Sequence, residues 1–299
     1  MASFCLFFSK MVVMNSNEQM KKRLLLFDLL RIIAIFFVVI WHISTTYQIP
    51  PFNFIQIYFG MFDVDIGAVG VSIFIFISGA MLQYTSKEIT SKDELFTFYK
   101  KRLLRIYPIL WVSLILIIIV QKWVLTYFSP FEILFSFTGL SLLFNVKGIE
   151  SWFIPVIIIL YICFPVISYC IRKKPYFSII SIIALSLCLR FTLYTLFFNR
   201  DPWLSASYHW FPLSSLLEFG LGIFIVNQNL FPKIYHRSNI IMILSELTFP
   251  IFLAHGIVKD SFIISPLLFA FETLFLAVLL YIVDIYLHNK LSKINFNHF

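Results

Sequence analysis

The sequence predicts an all-α fold: a polytopic transmembrane helical bundle of about eight spans, with both termini on the cytoplasmic side. Three observations predict it. The chain is 60% hydrophobic and only 13% charged, with a mean hydropathy of +0.91, whereas a soluble domain is about 45–50% apolar and about 25% charged. Apolar runs recur along the chain at the length of roughly 20 residues that a bilayer requires. The 23 Lys and Arg against 15 Asp and Glu are also unevenly distributed between alternate connections. No basic, aromatic-studded soluble segment is present, so the excess positive charge does not point to nucleic acid. The partner it implies is the lipid bilayer.

Taken in order, residues 1–22 form a short tail expected on the cytoplasmic side. Its apolar piece, Phe4 to Phe8, is too short to span, and its charges stand in the wrong order for a secretory signal. Residues 23–288 hold the membrane domain. Its expected spans are 24–43, 66–84, 104–121, 152–171, 176–198, 209–227, 240–258 and 263–287. The polar stretch 85–102 reads as a cytoplasmic loop feeding a helix. Residues 129–151 are expected as an outer loop or half-helix, because 129–146 is short and carries Ser, Thr, Gly and Asn. With that segment not crossing, Lys21, Lys22, Arg23, Lys87, Lys92, Lys100, Lys101, Arg102, Arg105, Arg172, Lys173, Lys174, Lys233, Arg237, Lys290 and Lys293 fall inside. Only Lys122, Lys147, Arg200 and Lys259 fall outside, as the positive-inside rule requires. Residues 289–299 form a cytoplasmic tail. Of the four cysteines, Cys163, Cys170 and Cys188 lie in apolar runs, and none has C-x-x-C spacing. No metal site or disulfide is expected.

The first span, "FDLLRIIAIFFVVIWH" (27–42), poses a chemical question. It carries Asp28, Arg31 and His42 among aliphatic and aromatic residues. At about 100° and 1.5 Å per residue, Arg31 and His42 fall within about 20° of each other and roughly 16 Å apart in height; Asp28 lies within about 40° of His42. An intramembrane Arg costs about 2.5–3.5 kcal/mol on insertion scales and is kept where it meets a partner or a polar cavity. A bland reading is an Asp28–Arg31 pair at i, i+3 with His42 at the interface. The functional reading is a polar passage walled by the first span, in which His42, suited to proton transfer near neutral pH, is a general base.

These residues, with five further motifs in order, resemble the acyltransferase-three family of integral-membrane O-acyltransferases. "FDLLRIIAIFFVVIWH" is similar to its first-helix motif, and "GAVGVSIFIFISGAML" (67–82) to the second. "YKKRLLRIYP" (99–108) carries an Arg-x-x-Arg before Tyr-Pro. "SWFIPVIIILYICFP" (151–165), "LEFGLGIF" (217–224) and "SELTFPIFLAHGIV" (245–258) resemble later elements. Two departures stand out. The family has about ten spans, so this is a shortened member, and Phe252 stands where a Tyr is frequent.

The resemblance implies transfer of an acyl group, acetyl above all, from cytoplasmic acyl-CoA to a hydroxyl of a cell-envelope saccharide, in a bacterial plasma membrane. No tightly bound cofactor is implied; acyl-CoA is the donor substrate. His42, Arg31 and Asp28 would be catalytic, with Asp28 and Arg31 shaping the donor channel below the base. Arg102 and Arg105, one turn apart, would hold CoA phosphates, to which guanidinium forks are suited, although rim arginines are also common. Trp152, Glu218 and His255 would bind the acceptor; Glu218 could instead pair with Arg190. Ser72, Ser78, Gly67, Gly70 and Gly79 read as small residues for close helix approach. A rival reading is a carrier or export component for a polysaccharide or lipid-linked glycan, using the same polar interior.

Overall fold

The computed structural model describes residues 23–47, 65–86, 88–121, 124–144, 146, 148, 149, 151–197, 211–259 and 265–292. The tail 1–22 and most of the tail 289–299 lie outside the described residues. So do Lys87, Lys122, Lys147 and Arg200.

The helices are α1 (Leu25–Tyr47), α2 (Ile66–Thr85), α3 (Lys92–Val120), α4 (Val124–Tyr127), α5 (Pro130–Ser136), α6 (Phe153–Lys173), α7 (Pro175–Phe197), α8 (Leu216–Asn227), α9 (Asn239–Lys259) and α10 (Pro266–Ser292). Among the described residues, seven are long and apolar enough to cross a membrane: α1, α2, α3, α6, α7, α9 and α10. The chain is an all-α, multi-pass membrane bundle.

The expected sixth span, 209–227, is shorter than its composition suggests. Its described part opens with a tight 3-10 turn, Pro212–Ser215, and continues as the 12-residue α8, giving an apolar helical stretch of Pro212–Asn227. Helix α3 departs the other way, beginning twelve residues before the expected span. Ser91 Oγ accepts the Glu94 amide at 3.2 Å, and Glu94 Oε2 accepts the Ser91 amide at 3.1 Å. This capping box starts the helix inside what reads as a loop. Another box, Ser129 with Glu132, opens α5. The segment 129–146 thus holds one seven-residue helix and a 3-10 turn, Ser141–Phe144, neither of span length.

Glycines set the packing of α2. It lies between α1 and α8. A Cβ on Gly70 would meet the Ala34 carbonyl at 2.6 Å; on Gly79 it would meet the Phe219 carbonyl, and on Gly222 of α8 the Phe76 carbonyl. The backbones therefore approach as closely as small residues permit. Helix α9 packs on α1, α3 and α10, and α7 on α6 and α8.

Side-chain contacts define two ends. At the proximal end, β1 (Arg23–Leu24) pairs antiparallel with β2 (Tyr235–His236), with Arg23 opposite His236. There too Arg172 Nη2 donates to the Ser86 carbonyl, and Gln83 bonds Ser168 and Asn227. At the distal end, Trp41 lies against Gly67, and Gln121 Nε2 donates to the Ile257 carbonyl at 2.8 Å.

Candidate active site

The imidazoles of His42 and His255 meet at the distal end. Their ring centroids are 4.7 Å apart at an interplanar angle of 38°. Helix α1 supplies the first and α9 the second, packed side by side. Trp41 sits edge-on to His42 at 4.6 Å and Phe252 edge-on to His255 at 5.2 Å. Phe252, at the position where a Tyr is frequent, contributes an apolar face here. It also contacts Phe153 at 4.9 Å, and Phe153 contacts Trp152 at 6.5 Å. Trp152 is therefore linked to His255 through two aromatic rings, Phe153 and Phe252. His255 is buried and His42 half-buried. Two adjacent imidazoles can accept a proton from a hydroxyl and hand it on.

The proximal end is ionic. Asp28 is buried and accepts five hydrogen bonds. Arg23 donates two, from Nε and Nη2, both at 3.0 Å; Arg31 Nη1 donates at 3.2 Å and Ser245 Oγ at 2.7 Å. The fifth comes from His236 Nε2 at 2.8 Å. His236 Nδ1 accepts the Ser238 amide, so the ring proton resides on Nε2. Arg23 also donates to Glu246 at 2.6 Å, and the Tyr281 hydroxyl donates to the other Glu246 oxygen at 2.6 Å. One carboxylate thereby ties β1, α1, β2 and α9 together, and Glu246 extends the tie to α10.

The i, i+3 pairing of Asp28 with Arg31 is thus present, and Asp28 has its acceptor capacity filled by protein donors. Among the described residues, Arg31 uses only Nη1 for bonding, to Asp28 and to Ser245 at 3.4 Å. Arg102 and Arg105 stand three residues apart on α3, which packs on α6. Arg102 stacks on Phe98 at 5.4 Å, and its buried Nε has no hydrogen-bond partner among the described residues. Arg105 is exposed.

On α1 the polar residues Asp28, Arg31 and His42 fall at two ends divided by an apolar belt. Between Arg31 and His42 the same face carries Ile35 and Val38, 6% and 3% exposed, which join Val71, Ile75, Phe252 and Leu253 in one core. Glu218 is not brought to the histidines. It is bound by Arg190 Nη2 of α7 at 2.6 Å, while Arg190 Nε and Ser186 Oγ donate to the Ser214 carbonyl. Its neighbour Phe219 lies on Gly79, twelve residues along α2 from the Gly67–Trp41 contact, about 18 Å in height. Ser78 Oγ donates to the Phe74 carbonyl of its own helix. Cys163, Cys170 and Cys188 are free thiols. The described residues hold no group of three or more His, Cys, Asp or Glu able to bind a metal.

A family model described as an acyltransferase domain, that of the acyltransferase-three family, matches residues 25–233. The chain belongs to this family. No curated protein and no solved structure matches it. The acyltransferase match covers α1 to α8, including Asp28, Arg31, His42, Arg102, Arg105, Trp152 and Glu218. It stops before α9, so His255, expected from the sequence motif, and Ser245 and Glu246, brought in by the geometry, lie outside the matched residues. His236, Ser245, Glu246 and Tyr281 are not singled out by sequence reasoning, and Arg23 is read there only as cytoplasmic-side charge. Intramembrane ionisable residues on α9 and α10 are the signal that would have found Glu246 and, one turn beyond Tyr281, Asp284.

Proposed function

We propose that this membrane acyltransferase moves an acyl group, acetyl in the simplest case, from acyl-CoA to a hydroxyl of a cell-envelope saccharide in a bacterial plasma membrane. The observation that carries this reading is the pairing of His42 with His255, 4.7 Å apart, in a chain of an acyltransferase family. The proximal end is cytoplasmic in this reading, in keeping with its Lys and Arg content. CoA phosphates bind Arg31, Arg102 and Arg105. The free nitrogens of Arg31 and the buried Nε of Arg102 support that assignment, since guanidinium donors pair readily with phosphate oxygens.

The acyl-pantetheine arm extends along α1 toward the distal end, passing the belt at Ile35 and Val38 by separating α1 from α9. The acceptor approaches beside Trp152, whose ring offers a face to a sugar. His42 takes the hydroxyl proton as the oxygen attacks the thioester carbonyl. The tetrahedral intermediate collapses, the C–S bond breaks, and the CoA thiolate leaves and takes up a proton. Asp28 reaches neither substrate; it positions Arg31. Glu218 acts as the partner of Arg190 and holds α7 to α8.

The test uses purified protein with acetyl-CoA and envelope glycan. Transfer is expected to fall by about 10²–10⁴-fold in His42→Ala, the range for a lost general base. Arg102→Gln raises KM for acetyl-CoA. Transfer that is indifferent to His42→Ala refutes the mechanism, and absence of any acyl transfer by the wild type, across acyl-CoA chain lengths, refutes the reading.

A further inference from the structure

A groove of about 340 Å³ runs between α1 and α2, lined by Leu30 of α1 and by Val69, Ser72, Ile73 and Phe76 of α2. The four α2 residues recur at i, i+3, i+4 and i+7, one stripe of the helix. All five are half-buried. Leu29 and Ile33, beside Leu30, are 40% and 42% exposed, so the groove opens sideways onto lipid. Its proximal end closes where α8 meets α2 at Phe76, Gly79 and Ala80. Its distal end closes at Trp41. Leu30 and Trp41 are eleven residues apart, so they lie within about 20° on one face and roughly 16 Å apart in height. A Cβ on Gly67, two residues before Val69, would meet the Trp41 ring at 2.9 Å. Trp41 in turn sits edge-on to His42 at 4.6 Å, and its Nε1 is buried with no hydrogen-bond partner among the described residues. The groove is separate from the other side of α1, where Arg31 reaches Ser245 and His42 reaches His255, both of α9.

We propose that the acceptor bears a hydrocarbon anchor in the distal leaflet, and that this groove receives the anchor and so presents a hydroxyl of the head to His42. This rests on the reading of the protein as an acyltransferase with its acceptor at the histidine end. The length fits one leaflet: roughly 16 Å is about half of a hydrocarbon core about 30 Å thick. A chain lying from Leu30 to Trp41 ends where headgroups begin. There the Trp41 N–H meets the oxygen that joins anchor to head. An indole N–H buried without an acceptor is costly, and an ether, ester or phosphate oxygen at that junction supplies one. The groove adds little affinity, because lipid tails are as apolar as the side chains around them. Its effect is orientation. A glycan swinging from the membrane surface offers many hydroxyls in many directions, and holding its anchor removes that freedom before the reaction begins. A water-soluble glycan has nothing to place there.

The experiment uses the full-length protein in nanodiscs with acetyl-CoA. The acceptors are glycolipids extracted from the cell envelope and the water-soluble glycans released from them by mild acid. The readout is the ratio of kcat/KM for the two forms. Wild type is expected to favour the lipid-linked form. Ser72→Leu and Ile73→Trp fill the groove and should cut the ratio by about 10–100-fold, as misplacing a reacting group does. Ile180→Trp, which adds bulk at an exposed site on α7, should leave the ratio at the wild-type value. A second measurement needs no variant. Hexadecyl glucoside carrying a diazirine at its chain end, photolysed in the nanodisc, should label the α1 and α2 peptides around Leu30 and Ile73 above those of α7 and α10. A wild type that acylates both forms alike, filling variants that keep the ratio, or label spread evenly over the lipid-facing helices overturns the anchor site while the transferase reading stands. Transfer to neither form, with any acyl-CoA, sinks that reading and the anchor site with it.

Discussion

Substituting Asp28→Asn removes the charge on which β1, α1, β2 and α9 converge while keeping the side-chain shape. Arg23 and Arg31 are then left as partly buried cations, their side chains 22% and 18% exposed. The new amide group also turns a donor toward donors. Removing one partner of a buried ion pair costs about 3–5 kcal/mol. Arg23 retains Glu246 at 2.6 Å, and one acceptor oxygen survives, so the lower limit, about 3 kcal/mol, applies. Folded proteins are stable by only about 5–15 kcal/mol. At about 2–4 °C per kcal/mol for a large domain, the melting temperature should fall by about 6–12 °C.

The comparison is Glu246→Gln, whose side chain is 23% exposed against 3% for Asp28 and whose loss should cost less, about 1.5 kcal/mol, the lower end for a hydrogen bond to a charged group. Thermal unfolding in detergent, followed by tryptophan fluorescence, measures both. If Asp28→Asn melts within about 2 °C of wild type, or no lower than Glu246→Gln, the carboxylate is not the organising charge of the proximal end.

Three further outcomes are expected. Gly222→Ala drives a methyl into the Phe76 carbonyl and should destabilise by about 1–3 kcal/mol, as overpacking does; an unshifted melt would refute the close α2–α8 contact. Arg190→Met should destabilise because it strands Glu218, whose Oε2 has no hydrogen-bond partner among the described residues, whereas Arg190→Met/Glu218→Leu should regain most of the loss. If the double variant is stable but loses transfer, Glu218 has a substrate role. Gln121→Leu removes the bond that holds the Ile257 carbonyl at 2.8 Å, beside His255. It should cost about 1 kcal/mol of stability and lower kcat more than it changes KM for acetyl-CoA; a kcat equal to wild type would show that this pin does not position the histidine.

The spans were legible in the sequence because lipid imposes a length on apolar runs, and α1, α2, α6, α7, α9 and α10 follow those runs closely. The ends of α3 and α8 were less so. At Ser91 two local hydrogen bonds outweigh polar composition, and at Pro212 a tight turn consumes residues that read as span. The functional residues divide in the same way. Asp28 and Arg31 share a helix face, so their pairing follows from spacing. His42 and His255 can each be picked out as polar residues on apolar helices, but their meeting depends on how α9 packs on α1. The donors to Asp28 from His236 and Ser245 come from more than two hundred residues along the chain, a separation no local pattern encodes. The belt at Ile35 and Val38 is not legible in the sequence, because a helical wheel locates polar side chains on a face and says nothing of what neighbouring helices press between them.

That belt bears on bioenergetics. A bilayer that stores a voltage cannot tolerate a standing water wire from one surface to the other. Ile35, Val38, Phe252 and Leu253 interrupt any such wire between the arginine and histidine ends. Hydronium and small ions gain nothing there to replace their hydration. Among the described residues, the belt is therefore a dry layer between the two polar ends.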